Sequence, residues 1–119
     1  MTVKIKRVYE ESTSSDGKRI LVERLWPRGI KKEALKIDLW LKNVAPSTEL
    51  RKWFSHDVNK WNEFQTKYKN ELKSNSAEYQ PIIEAGKKGN VTLLFSSRDT
   101  EHNNAVVLQS FIQEQLSKS

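Results

Sequence analysis

The five residues 91–95 constrain the fold of this chain more than any other segment. They read VTLLF, a run that is apolar apart from one threonine and rich in residues that favour strands. A continuous apolar run of this length is typical of a parallel strand that is covered on both faces. Helical patterns precede and follow it, and the helices that connect parallel strands lie on the faces of their sheet. The segment therefore predicts an α/β protein.

Two further strands and several helices are predicted from the rest of the chain. Residues 3–8 alternate between apolar and charged side chains, which is the period of a strand with one solvated face. Residues 19–25 contain a continuous apolar run, and Pro27 and Gly29 end it. Apolar residues at helical spacing predict helices at about 31–44, 46–54, 57–72, 78–87 and 105–116.

The length of the chain limits its domain organisation. Its 119 residues correspond to one domain, and no linker or internal repeat divides them. We therefore predict a single α/β domain over residues 1–119. Its small sheet is three-stranded, parallel or mixed (about 3–8, 19–25 and 90–96), and is flanked by helices.

Composition removes several classes of function. The chain has no cysteine, which excludes disulfides, thiol nucleophiles and thiolate metal sites. It contains neither G-x-x-x-x-G-K-[ST] nor G-x-G-x-x-G, so we expect no cofactor, and we expect no metal ion. Its apolar runs are far shorter than the ~20 residues that span a membrane, and its first residues lack the apolar stretch of a secretory signal. We expect a cytoplasmic protein with no membrane partner.

Charge is distributed unevenly along the chain. The formal net charge is +6, and the first 60 residues hold 14 basic and 8 acidic side chains, whereas the remainder holds 7 of each. This asymmetry favours an anionic partner. A small anionic ligand is the first expectation and a nucleic acid is the alternative, although the basic residues are not dense enough to identify a nucleic-acid-binding protein.

Polar and basic residues follow two of the predicted strands. The second strand leads into VERLWPRG and the last into SSRD. Because the carboxyl ends of parallel strands meet at one edge, Arg24, Arg28 and Arg98 are predicted to converge there on an anion, with Ser97 as a further donor. Trp26 lies between two of these arginines, where a base or sugar could stack on it. The alternative is that each of these residues has a purely structural role.

Three residues are candidates for a catalytic role. His56 lies at the bend between two predicted helices and is a candidate general base or anion donor; the alternative is a histidine that packs beside Trp53 and Trp61. Asp99 and His102 follow the last strand, where either could act as an acid or base, and Asp99 could instead cap the last helix. With Glu101 they could contact a metal ion, but residues so close in sequence seldom point together.

Three strings of the sequence resemble a known family. They are LVERLWPRG, LWLKNVAPSTELRKWFSHD and VTLLFSSRDTEHNNAVVL, which together extend over nearly the whole chain. They are similar to the YeaO-like proteins, the domain of unknown function 488. The resemblance implies a small bacterial or archaeal cytosolic α/β protein and assigns no activity. Broader relatives carry cysteines near the exit of the last strand, where this chain has serine and arginine, so thiol chemistry does not carry over.

These observations leave three classes of function open. The first is a protein that binds or acts on a small phosphate- or carboxylate-bearing ligand at the carboxyl edge of its sheet. A nucleic-acid-associated module and a non-catalytic partner-binding protein are the alternatives. The sequence decides neither whether the protein is an enzyme nor its oligomeric state.

Overall fold

The structure, a computed structural model, describes residues 2–118 and contains one parallel sheet with four helices. The strands are β1 (Val3–Arg7), β2 (Lys18–Leu21), β3 (Leu39–Trp40) and β4 (Val91–Phe95). The helices are α1 (Thr48–Phe54), α2 (Trp61–Ser74), α3 (Ser76–Lys88) and α4 (Asn104–Lys118). The order of the strands is β1-β4-β2-β3, and every pair is parallel. The predicted α/β class is confirmed, and the sheet has four strands rather than three.

Strand β4 is internal to the sheet and entirely buried. It pairs with β1 from Val3↔Val91 to Arg7↔Phe95 and with β2 from Lys18↔Val91 to Leu21↔Leu94. All five of its residues are buried, as its continuous apolar pattern predicts. Because β2 and β4 are adjacent and parallel, the segments that follow them leave the sheet at the same edge.

All four helices pack on one face of the sheet. Alternate strand residues, Ile20, Leu93 and Phe95 among them, point into a single core with apolar side chains of the helices. Phe64, Tyr68 and Leu72 form the buried stripe of α2, at the helical spacing seen in the sequence. This face contains most of the apolar core.

The opposite face of the sheet is covered by irregular chain instead of helices. Leu21 and Leu94 pack there with Leu35, and the partly buried Trp26 and Trp40 complete this smaller cluster. The remainder of the face is charged, with Asp16 buried beneath the side chains of β1 and β2. The sheet is thus apolar on one face and divided between apolar and charged regions on the other.

The helix predicted over about 31–44 is wrong. Residues 22–38 contain no helix, and Leu39–Trp40 form a short strand beside β2. The run LWL alternates between the two faces, because Leu39 and Leu41 pack with the helices whereas Trp40 joins the opposite cluster. Its apolar residues fit a strand of period two as well as a helix, and pairing with β2 decides between them.

Strand β2 is also shorter than the prediction of 19–25, since it ends at Leu21. None of the helices among residues 2–118 is both long enough and apolar enough to cross a membrane.

Candidate functional site

A cavity of about 400 Å³ opens at the carboxyl edge of the sheet, beyond the ends of β2 and β4. Its walls come from the exits of these two strands, from α1 and the turn that follows it, and from the start of α4. Ligands of open parallel sheets bind at this edge, and the volume is within the range of small-molecule sites. It is therefore the candidate functional site.

The strand exits contribute a fixed carboxylate to the cavity. One oxygen of Glu23, Oε1, accepts hydrogen bonds from the Ser96 backbone N–H at 3.2 Å and from its hydroxyl at 2.7 Å. The backbone carbonyl of Glu23 accepts a further hydrogen bond from Trp40 Nε1 at 2.7 Å. These contacts join the exits of β2 and β4 and orient the carboxylate, while its Oε2 has no partner among the described residues and is accessible to solvent.

Helix α1 provides the cationic wall. Arg51 and Lys52 line the cavity, and both side chains are exposed and without an ion-pair partner within residues 2–118. Ser47 precedes the first residue of the helix and caps it: its hydroxyl accepts from the Leu50 N–H at 3.1 Å and donates to Glu71 Oε2 at 2.6 Å. The cap and this bond to α2 hold the cationic wall in place.

The turn after α1 brings a histidine to the rim of the cavity. Ser55 and His56 both line it, and both have left-handed backbone conformations, with φ of 46° and 58°. Residues other than glycine seldom adopt this conformation, and backbone strain of this kind concentrates at functional sites. The His56 ring lies 6.2 Å from that of Phe54 and has no hydrogen-bond partner among the described residues.

His102, two residues before α4, also lines the cavity. Its Nδ1 lies 3.0 Å from Asp99 Oδ2, and its ring packs edge-on against Trp61 with centroids 5.1 Å apart. The pKa of the Asp99 carboxyl is lowered from its ordinary value, because the backbone amides of Glu101 and His102 donate to it. An ionised carboxylate only accepts, so Nδ1 carries the proton and the ring is held in one orientation. Nε2 has no partner within residues 2–118.

The candidates predicted from the sequence separate into two groups. Ser97, His56 and His102 line the cavity, and Asp99 lies directly behind His102. The Ser97 hydroxyl accepts from the Asp99 N–H at 3.2 Å and keeps its own hydrogen for another acceptor. The structure thus brings the two histidines to one cavity, with Asp99 in contact with one of them.

The arginines and the tryptophan of the second strand exit lie outside the lining of this cavity. The Arg24 guanidinium donates to the carbonyls of Ala45 at 3.0 Å and Pro46 at 3.1 Å, two residues of the cavity wall, and so supports the wall from behind. Trp26 donates from Nε1 to the Ile30 carbonyl at 2.7 Å and packs against Trp40 beneath the loops. Arg28 and Arg98 are exposed. A shared anion on Arg24, Arg28 and Arg98 stays a prediction.

Three charged residues of the cavity were missed by the sequence analysis. Glu23, Arg51 and Lys52 lie in strings that the sequence singles out, but no role in a site is predicted for any of them. The available signal was the string LRKWFSHD, in which two cations and a histidine surround a helix end. It could not be used without knowing that this end faces the carboxyl edge of the sheet.

Comparison with known proteins places the chain in a family. The family model described as the inactive DUF488-N3 subclade matches residues 2–119. The chain belongs to the DUF488 family. The predicted resemblance to the YeaO-like proteins is thereby confirmed.

Relatives of similar length match nearly the whole chain. The uncharacterized protein YeaO of Escherichia coli K12 is 44% identical over 113 residues, which cover 95% of this chain and 98% of that protein. The uncharacterized protein Rv3073c of Mycobacterium tuberculosis H37Rv is 36% identical over 110 residues, 92% of each chain. No solved structure matches the chain significantly.

Proposed function

We propose that this protein binds a small anionic ligand, bearing phosphate or carboxylate, in the cavity at the carboxyl edge of its sheet. One observation carries the proposal: the cations of the cavity lack carboxylate partners. Arg51 and Lys52 form no ion pair within residues 2–118, and the ring of His56 forms no hydrogen bond there. Guanidinium and ammonium groups that share a concave surface repel one another unless an anion joins them.

The proposal is for binding without catalysis. The family model that matches the chain describes an inactive subclade, and the exits of the strands carry no cysteine. The pair of Asp99 and His102 then acts by positioning the ring beside the ligand rather than by transferring protons. When the ring is protonated, both nitrogens donate, and Nε2 is available to the anion.

The test is a calorimetric titration of the protein with inorganic phosphate at low ionic strength. Wild type should bind, and the double variant Arg51→Ala/Lys52→Ala should lose at least tenfold in affinity, because two of the charges that face the ligand are removed. Neither side chain forms a hydrogen bond or ion pair within residues 2–118, so the variant should unfold at the same temperature as wild type. Thermal unfolding without phosphate verifies this expectation.

Two double variants with the same change in charge serve as controls. Lys87→Ala/Lys88→Ala removes two cations at the end of α3, and Arg28→Ala/Arg98→Ala removes two members of the predicted arginine site. Both should bind phosphate like wild type. Loss of binding only in Arg28→Ala/Arg98→Ala would show that phosphate binds at the predicted arginine site instead. Equal loss in all three variants would show that the affinity depends on the net charge of the protein and not on a particular site. No binding by wild type would end the proposal.

The dependence of affinity on salt concentration distinguishes this function from nucleic-acid binding. Affinity for an oligonucleotide falls steeply as salt increases, because many counterions are released. A ligand held by two or three side chains in a cavity should lose much less between 50 and 200 mM salt.

A further inference from the structure

We propose that Glu23 makes the cavity selective for an anion that also carries hydroxyl groups, that is, a phosphorylated or carboxylated sugar or polyol. This inference rests on the proposed function, since it concerns the second half of the same ligand. A carboxylate repels anions, yet Glu23 lies among the lining residues of this cavity.

Hydrogen bonds fix the position of the Glu23 carboxylate. Both donors of Ser96 occupy Oε1, and the Trp40 indole holds the backbone of the same residue. Oε2 has no partner within residues 2–118 and is accessible to solvent, although Glu23 as a whole is half-buried. Glu71, the other carboxylate that fixes a wall of the cavity, has by contrast both oxygens engaged, by the N–H and hydroxyl of Ser47 at 2.9 and 2.6 Å.

An unoccupied carboxylate oxygen accepts from a ligand donor, which is either an ammonium or a hydroxyl. The other charged side chains of the cavity, Arg51 and Lys52, are cations that would repel an ammonium. A hydroxyl carries no charge and forms a short hydrogen bond with a carboxylate. The field of the cavity therefore favours a hydroxyl at Glu23.

Neutral groups beside Glu23 complete a site for hydroxyls. Asn104 donates from Nδ2 to the Val22 carbonyl at 2.9 Å, which fixes the amide and leaves Oδ1 without a partner among the described residues. Ser97 retains a hydrogen to donate, since its oxygen accepts from Asp99. Glu23, Asn104 and Ser97 all line the cavity. Together they supply two acceptors and one donor, which suits a pair of adjacent hydroxyls on a ligand.

The anionic end and the hydroxyl end of the ligand then contact different walls. The cations lie on α1 and the turn after it, whereas Glu23 and Ser97 follow the strands. A bare phosphate contacts only the first wall. Sites that hydrogen-bond a ligand hydroxyl discriminate strongly against analogues that lack it.

The experiment compares three probes by calorimetry: inorganic phosphate, ribose 5-phosphate and ribose. Wild type should bind ribose 5-phosphate at least tenfold more tightly than phosphate and should bind ribose weakly. In Glu23→Gln that preference should fall to about threefold or less, with phosphate affinity unchanged or slightly increased, because a negative charge has been removed. Glu101→Gln, an exposed carboxylate of the loop before α4 that does not line the cavity, should behave like wild type.

Each other outcome has a distinct meaning. Equal affinity of wild type for phosphate and ribose 5-phosphate would overturn the inference and leave the proposed function standing. Equal loss of both ligands in Glu23→Gln, at an unchanged unfolding temperature, would make Glu23 a support of the cavity and would also overturn it. Failure of wild type to bind any probe would overturn both proposals.

Discussion

Two clusters of charged residues lie on opposite sides of this domain. One is closed, which means that its charged groups are paired with one another, and the other is open, which means that some of its charged groups have no partner among the described residues. Beneath the loop-covered face of the sheet, Asp16 is completely buried and receives Lys4 and Lys6 at 3.0 Å each, together with Arg19. Thr13 also donates to this carboxylate, through its hydroxyl and its backbone N–H. Each cation around Asp16 thus faces a carboxylate.

The cluster at the cavity has the opposite character. Arg51 and Lys52 have no carboxylate partner among the described residues, and Glu23 keeps one oxygen unoccupied. Burying a charge is costly unless it is paired, so the charged groups of a buried cluster need partners of opposite charge within the protein. A cluster beside an open cavity can leave groups available to a ligand. Closed charge, which is paired within the fold, therefore has a structural role around Asp16, and the open charge at the cavity supports the proposed binding of an anion.

The largest expected effect is the loss of the buried carboxylate. Asp16→Asn should lower the free energy of unfolding by about 3 kcal/mol, because it leaves three cations around a neutral group in a buried position. Urea unfolding measures this difference. Glu33→Gln, an exposed carboxylate without a partner among the described residues, should change the free energy of unfolding by less than about 0.5 kcal/mol. A similar change in the free energy of unfolding for the two variants would show that the paired charges around Asp16 do not stabilise the fold more than an unpaired surface charge does.

The contribution of the Asp16 carboxylate should also appear, as a smaller effect, in the pH dependence of the free energy of unfolding. Burial by itself would raise the pKa of the Asp16 carboxyl, but hydrogen bonds from Lys4, Lys6 and Thr13 outweigh it and hold this pKa well below its usual range. Because the folded pKa is depressed, the carboxylate stabilises the fold fully above its unfolded pKa of about 4 and loses this contribution as pH falls below it.

Wild type should therefore lose stability between pH 5 and pH 3, and Asp16→Asn should lose less over the same interval. Urea unfolding at several pH values measures both curves. Parallel curves for the two proteins would show that other carboxylates cause the loss of stability in acid.

The smallest effect concerns the support of the open cluster. Ser47→Ala removes the cap of α1 and its hydroxyl bond to Glu71, which should reduce the free energy of unfolding by about 1 kcal/mol. Phosphate affinity should also fall about twofold to threefold, since α1 carries the cationic wall. Ser110→Ala, at an exposed serine in the middle of α4, is the matched control; it should leave phosphate affinity unchanged and should raise the free energy of unfolding slightly, by about 0.5 kcal/mol or less, because alanine favours helix more than serine does. Unchanged binding in Ser47→Ala would show that the wall does not depend on its cap.

The sequence predicted those parts of the fold in which one pattern had one interpretation. VTLLF at 91–95 predicted a buried strand, and the spacing of Phe64, Tyr68 and Leu72 predicted a helix; both predictions are confirmed. The segment 31–44 had two interpretations, because LWL fits either period. Pairing with β2, a contact between residues distant in sequence, decided that it forms a strand.

The sequence by itself determined the α/β class, the strand at 91–95 and the edge of the sheet at which polar residues collect. Those features follow from periodicity and from the direction of parallel strands, which are local properties or general rules. Only the tertiary structure decided which side chains meet there. Arg51 reaches the cavity because α1 packs beside the exits of β2 and β4, whereas Arg24, closer to an exit in sequence, donates to Ala45 and Pro46 behind the wall. Where a side chain points after a strand ends depends on packing between distant segments, and no local pattern records that packing.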